Sequence, residues 1–288
     1  MYKNHISVVL GSKNKKNLLK ATINSIRNNG FSEKMEIIVV DGGSIDGTCN
    51  WLAKQRDIFT IIQPNYKIIN EEDIPVLAHS WGEFMNIGFR YASGKYILMV
   101  SDDLILEKGC ILKGFDEMEQ RSAAGEKVGS GSIFFREFPR HDYYRVGVLP
   151  GDNIALNHGF YLKEALEDVG YLDEKNYNFY FADSDVIMRI GMKGWKTIAL
   201  ESCFAEHLCH KPTFNKKKNY PLSHVCDEKM FNMKYSDIKQ INKTIKIKEK
   251  VEINTFAFYR YALMNVLIGY CLRVYDMYVE RKKYYDSH

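Results

Sequence analysis

The sequence predicts an α/β protein built on a mostly parallel central sheet flanked by helices, with a helical extension at the C-terminus. Three observations carry that prediction. Short apolar runs at Ile6 to Leu10, Ile37 to Val40 and Tyr96 to Val100 alternate with segments of helical periodicity, the β-α-β pattern that produces parallel sheets. Each run is near-continuously apolar and far too short to span a bilayer, as suits a strand covered on both faces. The third run stops abruptly at two adjacent carboxylates, Asp102 and Asp103, at the strand end where open α/β sheets collect ligands.

Taken in order, the first strand ends in Gly11-Ser12-Lys13-Asn14, and Leu19, Ile23 and Ile26 then recur at i, i+4 and i+7 on one helix face. The second strand ends in Asp41-Gly42-Gly43-Ser44-Ile45-Asp46-Gly47-Thr48. Its glycines permit positive φ, and Ser44 or Asp46 caps the helix that carries Trp51 and Leu52. A weaker strand at Ile58 to Gln63 precedes an irregular stretch, Pro64 to Pro75, read as a loop. Trp81, Phe84, Met85, Gly88, Phe89 and Ala92 mark one face of the helix before the third strand.

Beyond the acid pair, Ile111, Leu112, Phe115 and Met118 predict a helix, Val128 to Phe135 a strand, and Arg136 to Asn153 a loop. Helices follow at Tyr161 to Val169 and Val186 to Met192, stopped by Gly170 and Gly194. From Lys211 the chain turns basic and polar, with Lys216 to Lys218 and Lys243 to Lys250 forming a connector. Phe256 to Tyr278 is apolar and aromatic, but Arg260, Asn265 and Arg273 interrupt it, leaving less than the roughly 20 apolar residues a transmembrane helix needs. It reads as a helix packed on the domain or on a second copy of the chain, the alternative being an interfacial helix among lipid headgroups.

The 288 residues are 45% hydrophobic and 26% charged with a net charge of +4, which excludes a disordered chain and gives no footprint of a nucleic-acid binder. Six cysteines lie scattered without a CxxC pair, as in a reducing compartment. The N-terminus lacks the apolar core and cleavage site of a signal peptide. Together these point to the cytoplasm, or to the periphery of a membrane surface through the C-terminal helix.

The chemistry converges on one edge. Three strands of one parallel sheet deliver Ser12, Asp41 and the Asp102-Asp103 pair to their carboxyl ends, whereas three unrelated turns would have no reason to share acids and glycines there. Taken alone, each acid is also a good helix cap or turn residue.

These residues resemble the inverting glycosyltransferases of family 2. The resemblance rests on Ser7-Val8-Val9-Leu10-Gly11-Ser12-Lys13-Asn14, on Glu36 to Thr48, on Asn86-Ile87-Gly88 leading through Ala92-Ser93-Gly94-Lys95-Tyr96 to the Asp pair, and on Asp183-Ser184-Asp185. It implies the glycosyltransferase-A fold, with its Rossmann-like sheet, over residues 1–212: a nucleotide-sugar half at about 1–105 and an acceptor half at about 106–212, followed by the 213–288 extension. It further implies that Asp41 contacts the nucleotide base, that Ser12, Ser101 and Asp102 contact the donor, and that Asp103 ligates Mn²⁺ or Mg²⁺, a hard cation that takes few protein ligands. Ser101 replaces the acid often seen at that position. A His after the acceptor segment completes the metal or touches the diphosphate, which points to His210, with His207 as the other choice.

Displacement at an anomeric carbon needs a base for the acceptor hydroxyl. The resemblance points to Asp183, with Asp185 as runner-up, whose spacing also suits a pair with Arg189 at i+4. Asp152, Asn153 and Asp185 are expected on the sugar or acceptor. Before Asn86 the family commonly has a basic residue for the donor, and Glu83-Phe84-Met85 stands there instead, leaving Lys13, Arg90 or the Lys216 cluster for the diphosphate. A zinc site at Cys203, His207, Cys209 and His210 lacks the usual ligand spacing. The partners implied are a nucleoside-diphosphate sugar, with uridine the family's preference, and a glycan or glycolipid acceptor. A sugar nucleotidyltransferase would need a longer Gly-rich loop than Gly11 to Asn14. A binding module that has lost catalysis is the remaining alternative.

Overall fold

The computed structural model describes residues 4–31, 34–71, 73, 75–138, 141, 143–208, 222–239 and 243–248. The first half of the chain runs β1 (Asn4–Ser12), α1 (Lys16–Arg27), β2 (Met35–Asp41), α2 (Thr48–Leu52), β3 (Ile58–Ile62), β4 (Lys67–Ile69), β5 (Pro75–Leu77), α3 (Trp81–Tyr91) and β6 (Gly94–Met99). It continues with β7 (Leu104–Leu106), α4 (Cys110–Ala123), β8 (Val128–Phe138), β9 (Tyr144–Leu149), β10 (Asn153–Ile154), β11 (Gly159–Leu162), α5 (Lys163–Asp168), α6 (Ala182–Met192), β12 (Lys196–Leu208), α7 (Leu222–Lys234) and β13 (Lys243–Ile247).

The main sheet is ordered β10-β9-β8-β11-β6-β1-β2-β3. Its first-half strands β3, β2, β1 and β6 are all parallel. The second half is mixed: β11 runs antiparallel to β6 and β8, while β12 pairs parallel with β8 and antiparallel with β7.

Alternate residues of the central strands feed two separate cores, which is why those strands read as unbroken apolar runs. Ile6, Val8, Leu10, Ile37, Val39 and Leu98 face Leu19, Ile23 and Ile26 of α1 and Ile111 and Met118 of α4. Val9, Ile38, Val40, Ile97 and Met99 face Phe84, Met85 and Phe89 of α3 and Val186, Ile187 and Ile190 of α6. Fully burying each such side chain contributes about 1.5–3 kcal/mol. Helix α3 lies so close to the sheet that a Cβ on Gly88 would fall 2.6 Å from Val9 Cγ1 and 3.1 Å from Val40 Cγ2.

The structure departs from the sequence reading in several places. The expected loop Pro64 to Pro75 contains β4, which pairs antiparallel with β5. The expected loop Arg136 to Asn153 is largely strand: β8 extends to Phe138, and β9 buries Tyr144 and Val146 against Phe134 and Phe204 while its intervening residues are only partly covered. In the helix expected from Tyr161, the first two residues belong to β11, because pairing with β6 and β8 outweighs a short local periodicity, and α5 starts at Lys163. Helix α6 starts at Ala182, not Val186, which puts Asp183 in its first turn. The polar connector at Lys243 to Lys250 supplies β13, an edge strand on β9.

Strand β12 was hidden by its polar residues. Glu206 is buried among them, satisfied by the Arg136 guanidinium and by the Tyr144 hydroxyl at 2.7 Å. Among the described residues no helix is long and apolar enough to cross a membrane. The Phe256 to Tyr278 segment lies outside the described residues.

Candidate active site

Strand register builds the donor-side edge. Ser12 pairs with Asp41 across β1 and β2, while Val9 opposite Met99 sets β6 to end where Ser101, Asp102 and Asp103 begin. The Ser12 hydroxyl donates to Asp102 Oδ2 at 2.8 Å, and Ser101 Oγ donates to Asp103 Oδ1. Lys15, at the N-cap of α1, spans the pair: its Nζ stands 3.1 Å from Asp102 Oδ1 and 3.0 Å from Asp103 Oδ2. Burial opposes the charge on Lys15, but the two carboxylates outweigh it and hold the ammonium protonated. Burial pushes Asp102 up, with Asp103 adding to the shift and Lys15 and Ser12 opposing it.

The antiparallel pairing of β12 with β7 sets His207 opposite Leu104. His207 Nε2 thereby lies 3.1 Å from Asp103 Oδ1. Behind it His158 is buried, its ring 5.2 Å from that of His207 and edge-on to Phe135. Burial first and His207 second push the His158 imidazole down to about 3, against a smaller upward pull from Asp103, so it is neutral at physiological pH.

Two cavities share a wall at this point. One, of about 370 Å³, is lined by Ser12, Lys13, Lys15, Met85 and the acid pair. The other, of about 500 Å³, is lined by Phe135, Arg145, Tyr180, Phe181 and Asp183. Trp81, Ser101, Asn157, Phe179 and His207 border both. Asp183 accepts from the Ser184 N–H at 2.8 Å and from Asn157 Nδ2 at 3.4 Å. Burial raises its pKa, with the Ser184 and Asp183 N–H groups opposing. It follows Phe181, which holds φ of 63°, a left-handed conformation costly for a bulky side chain and typical of constrained functional turns. The preceding turn is fixed by α7: Asp227 accepts from the backbone N–H groups of Asn178, Phe179 and Tyr180 at 2.8–2.9 Å.

Several expected residues stand elsewhere. Asp185 is buried behind the cleft, where its carboxylate accepts from Arg189 Nε at 2.7 Å, Lys234 Nζ at 2.6 Å and the hydroxyls of Tyr177 and Tyr235. The contact with Arg189 is the i+4 pair that its spacing allows. Asp152 is exposed in a short turn, and Asn153 Nδ2 donates back to the Pro150 carbonyl at 2.9 Å; neither lines either cavity. Asp41 is buried and holds its own turn, accepting from the Ser44 N–H and hydroxyl at 2.7 Å each. Arg90 pairs with Glu174 away from the cleft. His210 and Lys216 to Lys218 lie outside the described residues. Lys15, Asn157 and His158 were missed, and His207 had ranked behind His210.

The residues around Asp103 fit a hard divalent cation. A buried carboxylate and an imidazole nitrogen converge there, a second carboxylate adjoins them, and the Lys15 ammonium already marks the pair as a cation site. Among the described residues no cluster of three or more His, Cys, Asp or Glu ligands forms.

A search of curated protein sequences returns no match. Solved structures do match. The mannosyltransferase PcManGT from Pyrobaculum calidifontis, in complex with GDP-Man and Mn²⁺, aligns with TM-score 0.55 at 17% identity, over 84% of this chain and 67% of that one. S. aureus TarS 1-349 in complex with UDP aligns with TM-score 0.54 at 14% identity, over 82% and 67%. Other TarS structures are matched over 60% and 37% of their own length, so this chain spans less than two thirds of them. At these identities the likeness is one of fold, and that fold is glycosyltransferase-A. The sequence model of glycosyl transferase family 2 matches residues 7–171, more than half of the 288, and the chain belongs to that family.

Proposed function

We propose that the protein is an inverting glycosyltransferase that moves a hexosyl or N-acetylhexosaminyl unit from a nucleoside diphosphate, UDP by preference, to a saccharide hydroxyl, with Asp183 as the base. One observation carries this reading: a carboxylate whose pKa is raised by burial lines one cavity, the acid pair lines the adjoining one, and the two share a wall. A raised pKa makes Asp183 a better proton acceptor than an ordinary aspartate. Trp81, Phe135, Phe179, Tyr180 and Phe181 give the larger cavity the aromatic faces on which sugar rings pack. On the donor side Ser12 and Ser101 orient the two carboxylates, and Lys13 and Lys15 bring positive charge to the diphosphate.

Asp103 and His207, with Asp102 beside them, are the residues that would hold Mn²⁺ or Mg²⁺, which when bound stabilises charge on the departing nucleoside diphosphate. Neutral His158 backs His207 without adding a competing charge. The test is a thermal-shift screen of nucleoside diphosphates with and without Mn²⁺, followed by transfer assays with the matching sugar nucleotides. A melting temperature raised by one base and further raised by Mn²⁺ supports the reading. Sugar-nucleotide binding without transfer or hydrolysis to any acceptor would mark a binding module instead.

A further inference from the structure

The Lys15 ammonium is seated on the two carboxylates that a metal would also use. It stands 3.1 and 3.0 Å from one oxygen each of Asp102 and Asp103, and the two carboxylates are 5% and 3% exposed. A divalent cation held by the same carboxylates would share them with that ammonium, and like charges brought together in a partly buried site repel. With Lys15 in place the pair carries a formal charge of only about −1, little with which to strip water from a free divalent ion. A diphosphate brings the missing negative charge and a second acceptor for the ammonium.

We propose that Lys15 and a divalent cation compete for the oxygens of Asp102 and Asp103, so that this site takes the cation together with a nucleoside diphosphate and not as the free ion. The inference rests on the donor reading above. Lys15 is on this account a positioning residue, an internal counter-cation that keeps the pair neutralised until donor arrives.

The experiment is a Mn²⁺ titration of the full chain followed by the paramagnetic resonance signal of free Mn²⁺, first without nucleotide and then with UDP. Lys15→Met is compared with wild type and with Lys16→Met, which removes the same charge from the neighbouring residue. Lys15→Gln repeats the test with a side chain that still donates a hydrogen bond, and thermal melts confirm that each variant is folded. Without nucleotide, Lys15→Met and Lys15→Gln should bind Mn²⁺ about tenfold to about a hundredfold tighter than wild type or Lys16→Met, the range left after solvent screening of a close like-charge pair. UDP should tighten Mn²⁺ binding more in wild type than in either Lys15 variant. Equal Mn²⁺ affinities for wild type and both Lys15 variants without nucleotide would overturn the proposal, as would a Lys16→Met effect of the same size. If UDP changes nothing in any protein, the donor reading fails, while the metal-only titration still reports on Lys15.

Discussion

Replacing Asp183 by asparagine removes the negative charge from the larger cavity and changes almost nothing else. The amide oxygen keeps the Ser184 N–H contact now made at 2.8 Å. A positioned general base contributes about 10²–10⁴-fold to a rate. The other carboxylate lining that cavity, Glu137, accepts a 2.8 Å hydrogen bond from Arg145, so no ready substitute base is at hand and the loss should fall near the upper end, about 10³-fold or more. Stability should move the other way. Burial raises the Asp183 pKa, so the folded state holds that proton more tightly than the unfolded chain does. The group's stabilisation is therefore complete below the unfolded pKa and lost as pH rises through the folded one. The ionised form is the one that burial disfavours, so Asp183→Asn should melt at or above the wild-type temperature. The assay pairs nucleoside-diphosphate release at saturating donor with a thermal melt and a donor-binding curve. Transfer within about tenfold of wild type would refute Asp183 as base, and a lowered melting temperature with lost donor binding would show that the residue is structural.

Four further outcomes follow from the same geometry. The acidic limb of kcat against pH should lie above the ordinary aspartate value of about 3.9, because burial raises the Asp183 pKa; a limb at or below that value would contradict the assignment. Arg189→Met leaves buried Asp185 short of its Nε partner and frees the carbonyls of Val169 and Tyr171, which should cost about 3 kcal/mol in urea unfolding. Gly88→Ala drives a methyl to 2.6 Å from Val9 Cγ1 and should destabilise by about 1–3 kcal/mol, measured the same way. Asp227→Ala strips three backbone N–H groups of their acceptor; it should raise the acceptor KM while leaving nucleotide affinity within about twofold, because the loop it holds borders the saccharide side more than the diphosphate side.

The donor edge was legible because its information is local. An apolar run ending at Asp102 and Asp103, and a glycine-rich turn after Asp41, announce strand ends within a few residues of sequence. Asp183 was legible through the motif around it, although its helix begins four residues earlier than the apolar periodicity of Val186 to Met192 suggests. His207 was harder. It lies on β12, whose Glu201, Ser202 and Glu206 break the strand pattern, and only the long-range pairing with β7 carries it to Asp103. Lys15 carries no motif of its own, and its place three residues past the end of β1, on the edge that carries Ser12, is the available signal. Asp152 and Asn153 lie outside both cavities, and a turn rich in side-chain acceptors looks the same in sequence whether it serves a ligand or its own backbone.

The wall around Asp183 is braced from downstream in the chain. Asp227 pins the Asn178 to Tyr180 turn, while Lys234 and Tyr235 hold Asp185, two residues from Asp183. On the opposite side, strand register aligns Ser12, Asp41 and the acid pair, and only Phe179 of the braced turn reaches that cavity. The two halves of the cleft are thus built by separate means, one by sheet pairing within residues 4–103 and one by a helix clamp from residues 222–235. Grafting a different α7 onto this chain would therefore remodel the cavity around Asp183 more than the one around the acid pair, and a fragment cut after β12 would keep the sheet edge while its Asn178 to Tyr180 turn lost its anchor.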